Sequence, residues 1–319
     1  MTAVGFHASH EQLAPSALLR AVQGAERAGF DAAMCSDHFA PWTRAQGHSG
    51  FAWSWLGAAL ATTSLPFGVV TAPGQRYHPA IIAQAIATLA ELFPGRFWAA
   101  LGSGEAVNEH ITGEAWPPKP VRAERYRECA QAIRALLTGE EITRTGHVTL
   151  DRARIWSLPA EPPAIHAAAV SPETAEAVAE WADGLITVAQ APDAVARTVD
   201  AYRRAGGRGE IALQVHLSWA PSDAEALAIA SEQWRSGTVR PPLTWDLDTP
   251  EAFEAAAAGA TEREVRDAVL VASDPAELAH RIRDLVGIGF DAVYLHHVGQ
   301  DQEPFLAMAP ELIEAVRSR

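Results

Sequence analysis

The sequence has little cysteine, no long apolar run and no excess of positive charge. Its two cysteines, Cys35 and Cys129, lie far apart in 319 residues, so we expect reduced thiols and neither a disulfide framework nor a cysteine-based metal site. No stretch offers the roughly 18 consecutive apolar residues of a membrane helix, and residues 1–12 lack the pattern of a secretory signal. These absences predict a cytoplasmic protein without membrane contact.

Acidic residues outnumber basic ones by 39 to 25, giving a formal net charge of −14. Nucleic-acid binding relies on clustered lysine and arginine, so a nucleic-acid partner is not expected. Hydrophobic residues make up 48% of the chain and charged residues 20%, which is ordinary globular usage. The partner expected instead is a small molecule.

Short apolar runs alternate with amphipathic stretches along the chain, which indicates parallel strands separated by helices. Length alone would allow two average domains or one large barrel. We see no domain boundary and predict an α/β fold, a single (β/α)8 TIM barrel over residues 1–319. Its eight strands are predicted at residues 4–8, 32–36, 67–70, 97–101, 164–168, 185–188, 211–218 and 292–296.

A local repeat and two irregular segments complete this organisation. The sequence GFDA at residues 29–32 recurs at 289–292, with a looser relative near residues 181–185. Glycine there suits a left-handed helix cap, although any connection from helix to strand could use such residues. Residues 138–163, with a hairpin tip at 145–148, and 235–261, with two consecutive prolines, are predicted insertions that serve as lids.

Barrel active sites form at the carboxyl ends of the strands, and reactive side chains collect there in this sequence. The residues that follow or end the predicted strands are His7, His10, Asp37, His38, Thr71, Glu105, Ser171, Gln190, His216, His296 and His297.

Three sequence segments that contain some of these residues have features of a catalytic or ligand-binding site. In CSDHFAPW (35–42), Asp37 can orient the His38 imidazole for proton transfer. Alternatively, the two side chains form a hydrogen-bonded pair in the loop without a catalytic role. LGSGEAVNE (101–109) brings backbone close to a flat or anionic ligand and presents Glu105, without the lysine of a nucleotide triphosphatase. In AAVSPET (168–174), Ser171 caps a helix whose start can bind phosphate, although most capped helices bind nothing.

These segments together with RYHPAIIAQA (76–85) and VASDP (271–275) resemble the luciferase-like oxidoreductases, in particular the deazaflavin-dependent glucose-6-phosphate dehydrogenase branch. The likeness extends over nearly the whole chain. The runs GFAWSW (50–55) and PGQR (73–76) resemble a subgroup proposed to use FMN. The resemblance implies a bacterial-luciferase-like barrel, an oxidoreductase activity and a homodimer.

The resemblance also implies roles for particular residues. His38 and Glu105 match an acid/base pair beside the reacting ring, and Trp42 matches an indole that packs on the active centre. In the family the third strand carries a cis peptide, which would here join Val69 and Val70. The predicted cofactor-binding residues are Asp37, Val69, Val70, Thr71, Ser103, Asn108, Ala169, Val170 and Ser171.

For the substrate, the resemblance implies contacts from Thr187 and Gln190, and the pair Trp53 and Trp55 could roof the ring pocket or belong to the core. The three cations that hold a sugar phosphate in the family are replaced by residues we place at Gln190, Asp267 and Glu303 or Pro304. Because all three positive charges are missing, we expect a non-phosphorylated substrate. Glucose 6-phosphate should be neither bound nor oxidised.

FMN is narrowly favoured over coenzyme F420, because Ser171 suits a terminal phosphate and no basic cluster follows it before Arg197. Oxygen-dependent monooxygenation is a close alternative to hydride transfer. A metal-dependent hydrolase is a second class, with His7, His10, His38, His296 and His297 as possible ligands. A third is a cofactor-binding protein without catalysis.

Overall fold

A closed barrel of eight parallel strands forms the centre of the computed structural model, which describes residues 2–318. Each strand pairs in parallel with its neighbours around a closed ring. The predicted (β/α)8 barrel is therefore confirmed. Its strands are β1 (Ala3–Ala8), β2 (Ala32–Ser36), β3 (Phe67–Thr71), β4 (Phe97–Leu101), β7 (Ile165–Ala168), β8 (Gly184–Val188), β9 (Glu210–Trp219) and β11 (Ala292–His297).

Helices surround the barrel and fill the connections between its strands. None of those in the described part of the chain is long and apolar enough to cross a membrane. They are α1 (Pro15–Ala28), α2 (Ala52–Thr62), α3 (Pro79–Leu92), α4 (Ala106–Glu109), α5 (Lys119–Leu137), α6 (Pro172–Val178), α7 (Pro192–Arg204), α8 (Asp223–Gln233), α9 (Leu243–Asp246), α10 (Pro250–Ala257), α11 (Glu262–Ala268), α12 (Pro275–Val286) and α13 (Glu303–Arg317).

Alternate side chains of each strand point into the barrel and out to the helices, as the two-residue period of a strand requires. Large inward side chains, among them Trp98 and Tyr294, fill the amino-terminal half of the barrel. They fit because glycines face them: a Cβ on Gly68 would lie 1.9 Å from the Trp98 ring, and one on Gly5 would lie 2.4 Å from the Tyr294 ring. The cavity opens toward the carboxyl ends of the strands.

The peptide bond between Val69 and Val70 is trans, so the expected cis bond is wrong. Both residues continue a regular ladder, with Cys35 and Ser36 of β2 on one side and Ala99 and Ala100 of β4 on the other. A cis bond would bring the two Cα atoms about 0.9 Å closer together and break this register. The cis bond among the described residues joins Pro241 and Pro242.

The two irregular segments hold structure of their own. Residues 138–163 contain a hairpin of β5 (Ile142–Arg144) and β6 (Leu150–Ala153), whose turn includes the predicted tip. Residues 235–261 contain a 3-10 helix (Arg235–Thr238), α9 and α10. The short strand β10 (Leu270–Ala272), which was not predicted, extends the sheet beside the end of β9.

Candidate active site

A cavity of about 1170 Å³ opens at the carboxyl ends of the strands. Two segments cover it: residues 116–122, at and before the start of α5, and residues 241–246 of the second insertion. A hydrogen bond from Trp116 Nε1 to Asp246 Oδ1, at 3.1 Å, joins the two covers. The cavity lies where the barrel fold places active sites and is large enough for a cofactor together with a small substrate.

His38 lies between two carboxylates on this cavity. Its Nδ1 is 2.5 Å from Glu11 Oε1, and its Nε2 is 3.8 Å from Glu105 Oε2. The Glu11 side chain is only 2% exposed, whereas His38 and Glu105 are 17% and 20% exposed. Glu11 therefore fixes the imidazole from behind, and Nε2 is the nitrogen left to exchange a proton with a bound molecule.

The charges of this group shift its proton affinities. Burial opposes the charged form of His38, but the carboxylates of Glu11 and Glu105 outweigh it and raise the pKa of His38. Burial also raises the pKa of Glu105, against the influence of His38. For Glu11 the pKa moves the other way: burial raises it, but the charge and hydrogen bond of His38, together with the hydrogen bond from Ser9, lower it by more. An imidazole that is stabilised as imidazolium and a carboxyl with raised pKa are suited to proton transfer near neutral pH.

Trp42 and Asn108 hold His38 and Glu105 in position. The Trp42 ring packs edge-on against His38, with centroids 5.1 Å apart. Asn108 Oδ1 accepts a hydrogen bond from the Phe39 backbone N–H at 2.8 Å, and its Nδ2 donates to Glu105 Oε2 at 3.3 Å. Asn108 thereby ties the loop after β2 to the loop after β4.

The Asp37 carboxylate is engaged by protein groups on all sides. Its Oδ2 accepts hydrogen bonds from Trp53 Nε1 at 3.0 Å and Thr71 Oγ1 at 2.9 Å, and its Oδ1 accepts one from the Tyr77 hydroxyl at 3.2 Å. Arg76 adds an ion pair at 3.6 Å. The carboxylate of Asp37 thus stabilises the loop after β2, and its hydrogen-bond acceptor sites are already occupied by protein groups.

A different wall of the cavity has the features of an anion site. Ser171 caps α6 by accepting a hydrogen bond from the Thr174 N–H at 3.4 Å, and Gln190 Nε2 donates to the Val170 carbonyl at 3.1 Å. Lys119 also lines the cavity. It is the only lysine in the sequence, and within residues 2–318 it has no ion-pair partner within 4.0 Å.

Most of the predicted site residues lie together on this cavity, and they come from the ends of five different strands. Those in its wall are His38, Glu105, Trp42, Asp37, Val70, Thr71, Ser103, Asn108, Ala169, Val170, Ser171 and Gln190. Their roles toward a cofactor or substrate stay predictions.

Four predicted residues do not line the cavity. Val69 and Thr187 lie within β3 and β8. Their side chains point toward the helices, because successive side chains of a strand alternate and the neighbours Val70 and Val188 face the cavity. Trp53 and Trp55 are buried in α2, where Trp53 packs on Phe97. The tryptophan pair therefore belongs to the core, the alternative that the sequence left open.

The positions assigned to the missing phosphate cations need a similar correction. Gln190 lines the cavity, but Asp267 in α11 and Glu303 and Pro304 in α13 do not. The residues at 267, 303 and 304 therefore do not contact a ligand in the cavity, and their identity does not bear on the substrate.

The structure adds residues that sequence reasoning missed. Glu11 follows β1 by three residues, so its position after a strand could have indicated it. Arg76 and Glu109 form a buried ion pair at 3.7 Å beside Asp37. Lys119 and Arg122 reach the cavity from the start of α5, a connection for which the sequence carried no site motif.

The histidines after the strands do not assemble a metal site. Among residues 2–318, no three histidine, cysteine, aspartate or glutamate side chains are arranged to hold a metal ion. His10 packs edge-on against Trp55, and His297 stacks on Phe305, away from the cavity. The described structure therefore gives no support to the metal-dependent hydrolase.

Fold and site together define a barrel enzyme with an acid–base group beside a cofactor-sized cavity. The chain belongs to the luciferase-like monooxygenase family, whose model matches residues 1–292. It is an oxidoreductase of this luciferase-like class.

Its relatives include two named F420-dependent glucose-6-phosphate dehydrogenase. The one from Nakamurella multipartita is 34% identical, over 97% of this chain and 94% of the relative, and the one from Beutenbergia cavernae is 33% identical, over 100% and 98%. A solved F420-dependent secondary alcohol dehydrogenase, in complex with an F420-acetone adduct, is 31% identical with a TM-score of 0.92, covering 99% of both chains.

Proposed function

We propose that this protein transfers hydride between coenzyme F420 and a small, non-phosphorylated alcohol or carbonyl compound. The observation that carries the proposal is His38, held by Glu11 on one nitrogen and facing the cavity with the other. Relatives named as F420-dependent dehydrogenases over nearly the full chain support the cofactor and the reaction class.

The cavity fits a deazaflavin cofactor in volume and in chemistry. The capped start of α6 and the backbone near Ser103 would hold its phosphate, while Val70 and Ala168 offer an apolar surface to a flat ring. The ring would lie beside His38 and Glu105. When bound, coenzyme F420 supplies a two-electron centre that accepts or returns a hydride.

The relatives' names and Lys119 favour coenzyme F420 over FMN, against the preference drawn from the sequence. The preference for FMN rested on the lack of basic residues near Ser171 along the chain. Lys119 comes from a different segment, and its charge is close enough to affect Glu173 in the first turn of α6. An unpaired cation there would attract the acidic tail that follows the phosphate of coenzyme F420.

His38 carries out the proton step. In alcohol oxidation the C–H bond breaks with its electron pair leaving as hydride, the O–H electrons form the carbonyl double bond, and the hydroxyl proton passes to His38 Nε2. The Glu11 carboxylate stabilises the imidazolium that results. In the reverse direction the same nitrogen returns the proton to the carbonyl oxygen. Glu105 and Trp42 border the space in which this exchange occurs.

The absence of a phosphate on the substrate is the finer part of the proposal. Two of the three cations in the cavity wall are already engaged: Arg76 pairs with Asp37 and Glu109, and Arg122 contacts Asp246 at 3.4 Å. The third, Lys119, is assigned above to the acidic tail of the cofactor. A second phosphate would find no free cation in the described cavity wall, although two relatives are named for a phosphorylated sugar.

Side-by-side titration of the protein with coenzyme F420 and with FMN tests the cofactor. We expect coenzyme F420 to bind at least tenfold more tightly, and Lys119→Met to weaken F420 binding by about tenfold while changing FMN binding much less. Arg27→Met on the outer face of α1 is a control. FMN binding more tightly than coenzyme F420 would contradict the proposal.

The reaction class needs a second measurement. Reduction of coenzyme F420 by a secondary alcohol without oxygen, followed by absorbance, is the expected result. Oxygen uptake coupled to substrate hydroxylation would instead indicate the monooxygenase alternative.

A further inference from the structure

Aromatic side chains line the bottom of the cavity, next to His38 and Glu105. His7 of β1 stacks on His296 of β11 with centroids 4.4 Å apart, and His216 of β9 lies 5.0 Å from His296. Trp234 packs against both, at 4.5 Å from His216 and 4.7 Å from His296. Together with Gln214 they form what we call the imidazole floor, defined as His7, Gln214, His216, Trp234 and His296; all five line the cavity.

Burial disfavours the charged form of every imidazole in the floor. Burial lowers the pKa of His7 to about 4 and that of His216 to about 3, and it lowers the pKa of His296 well below its usual value. Neighbouring histidines, inside and outside the floor, add to the shift. Glu11 is the carboxylate that acts against it at His7 and His216, but its charge is already matched by His38.

Two of the rings are fixed by neighbours, and the remaining polar groups are available to a ligand. His296 Nε2 bonds Gln12 Oε1 at 2.6 Å, and His7 Nε2 lies 3.2 Å from Ser36 Oγ. Gln214 Nε2 lies 3.2 Å from His216 Nε2, which leaves Gln214 Oε1 without a partner among residues 2–318. His216 is the most exposed of the three imidazoles. The Nδ1 atoms of His7 and His296 also have no hydrogen-bond partner among the described residues, but they are fully buried. Gln214 and His216 are thus the more accessible polar groups of the floor.

No positive charge in the cavity wall belongs to the floor. Arg76 is locked by Asp37 and Glu109, Arg122 lies at the cover with Trp116, and Lys119 lies near α6. The cation beside the floor, His38, is already paired with Glu11. A phosphate or carboxylate placed on the floor would therefore lose its hydration without gaining a free ion-pair partner, which is costly. Flat rings with a few hydrogen-bonding groups suit instead the C–H faces and hydroxyls of an uncharged molecule.

We propose that the imidazole floor is the subsite for an uncharged, hydroxyl-bearing part of the substrate. Gln214 and His216 bind a hydroxyl group other than the one that is oxidised, and the floor excludes anionic analogues. The inference rests on the proposed hydride transfer in this cavity, because the substrate of that reaction would lie beside His38 and the floor.

Matched pairs of neutral and phosphorylated compounds test the subsite. With protein loaded with coenzyme F420, kcat/KM is measured for glucose against glucose 6-phosphate and for glycerol against glycerol 3-phosphate. We expect the neutral member to be favoured by at least tenfold in each pair that is turned over. Equal or better use of the phosphorylated member would overturn the subsite and leave the hydride transfer standing.

Variants of the floor locate the effect. Gln214→Leu and His216→Phe should each raise KM for the neutral member about tenfold, with a smaller effect on kcat and no change in the affinity for coenzyme F420. Gln84→Leu and His280→Phe, at exposed positions on α3 and α12, are matched controls. Wild-type KM in both floor variants would remove Gln214 and His216 from the subsite.

Calorimetry separates failure of the subsite from failure of the proposed function. If coenzyme F420 binds and neither pair is turned over, glucose is titrated into the loaded protein, and a lack of saturable binding overturns the subsite. If coenzyme F420 does not bind, the proposed function is contradicted. The subsite is then judged by the same titrations of glucose and glucose 6-phosphate into the protein alone, in which only the neutral sugar should bind.

Discussion

At the scale of single residues, His38 and Glu105 bear the chemistry. His38→Ala and Glu105→Gln should each lower turnover by about 10²–10⁴-fold, the usual contribution of a general acid–base group. Folding and cofactor affinity should change little, since both side chains are partly exposed on the cavity rather than part of the core. Steady-state kinetics with circular dichroism and cofactor titration checks this. Wild-type rates in both variants would exclude them from the mechanism.

The raised pKa of His38 fixes the direction of the pH dependence. Alcohol oxidation needs the neutral imidazole as base, so its rate should rise with pH and level off above the His38 pKa, while carbonyl reduction should fall over the same range. Burial lowers this pKa, and Glu11 raises it through its charge and its hydrogen bond, so Glu11→Gln should move both profiles to lower pH. The profiles are measured in both directions, and Glu124→Gln, at an exposed glutamate outside the cavity, is a control. Profiles that stay in place in Glu11→Gln would show that Glu11 does not set the pKa.

At the scale of secondary-structure elements, the repeated GFDA sequence has a structural role. Gly29 ends α1 with φ 90°, and Gly289 precedes β11 with φ 123°. In each copy the aspartate forms two hydrogen bonds to one residue of a neighbouring strand. Asp31 Oδ2 accepts from the Val4 N–H at 2.8 Å and Asp291 Oδ2 from the Ile211 N–H at 2.9 Å, while the backbone N–H of each aspartate donates to the carbonyl of the same partner.

The looser copy behaves in the same way. Asp183 Oδ2 accepts from the Ile165 N–H, and the Asp183 N–H donates to the Ile165 carbonyl, both at 2.9 Å. The three aspartates thus fasten the amino-terminal ends of three pairs of strands. The repeat marks where strands join, at the end of the barrel opposite the cavity.

Removing one of these fasteners should affect stability and not catalysis. Asp291→Ala loses the bond to the Ile211 N–H at the edge of the barrel, so we expect the free energy of unfolding to fall by about 1 kcal/mol. The kcat/KM should stay at the wild-type value because the site lies at the other end of the strands. Denaturant unfolding measures the change, with the exposed Asp284→Ala as control. Equal losses in the two variants would contradict this role.

At the scale of the whole molecule, the resemblance to the family implies a homodimer, and we propose this assembly for the protein. Sedimentation equilibrium should give twice the chain mass of 34.1 kDa. A mass of one chain at micromolar concentration would show that the assembly is not needed for the fold.

Much of the architecture could be predicted from the sequence. All eight barrel strands lie where the apolar runs placed them, because buried parallel strands need short continuous stretches of Val, Ile, Ala and Leu. The short β10 was missed, since its three residues carry too little pattern. Residues at strand ends, such as His38 and Glu105, could be expected to meet because parallel strands in a barrel bring their carboxyl ends to one face.

The sequence by itself determined the barrel, the face that carries the site and the acid–base candidates. Only the tertiary structure decided which way each side chain points and what it meets. The Thr187 side chain points toward the helices because side chains alternate along β8, and the Trp53 indole donates a hydrogen bond to Asp37. Glu11 and Lys119 reached the cavity from segments without a motif. Such contacts depend on register and on packing between residues distant in sequence, which local patterns do not encode.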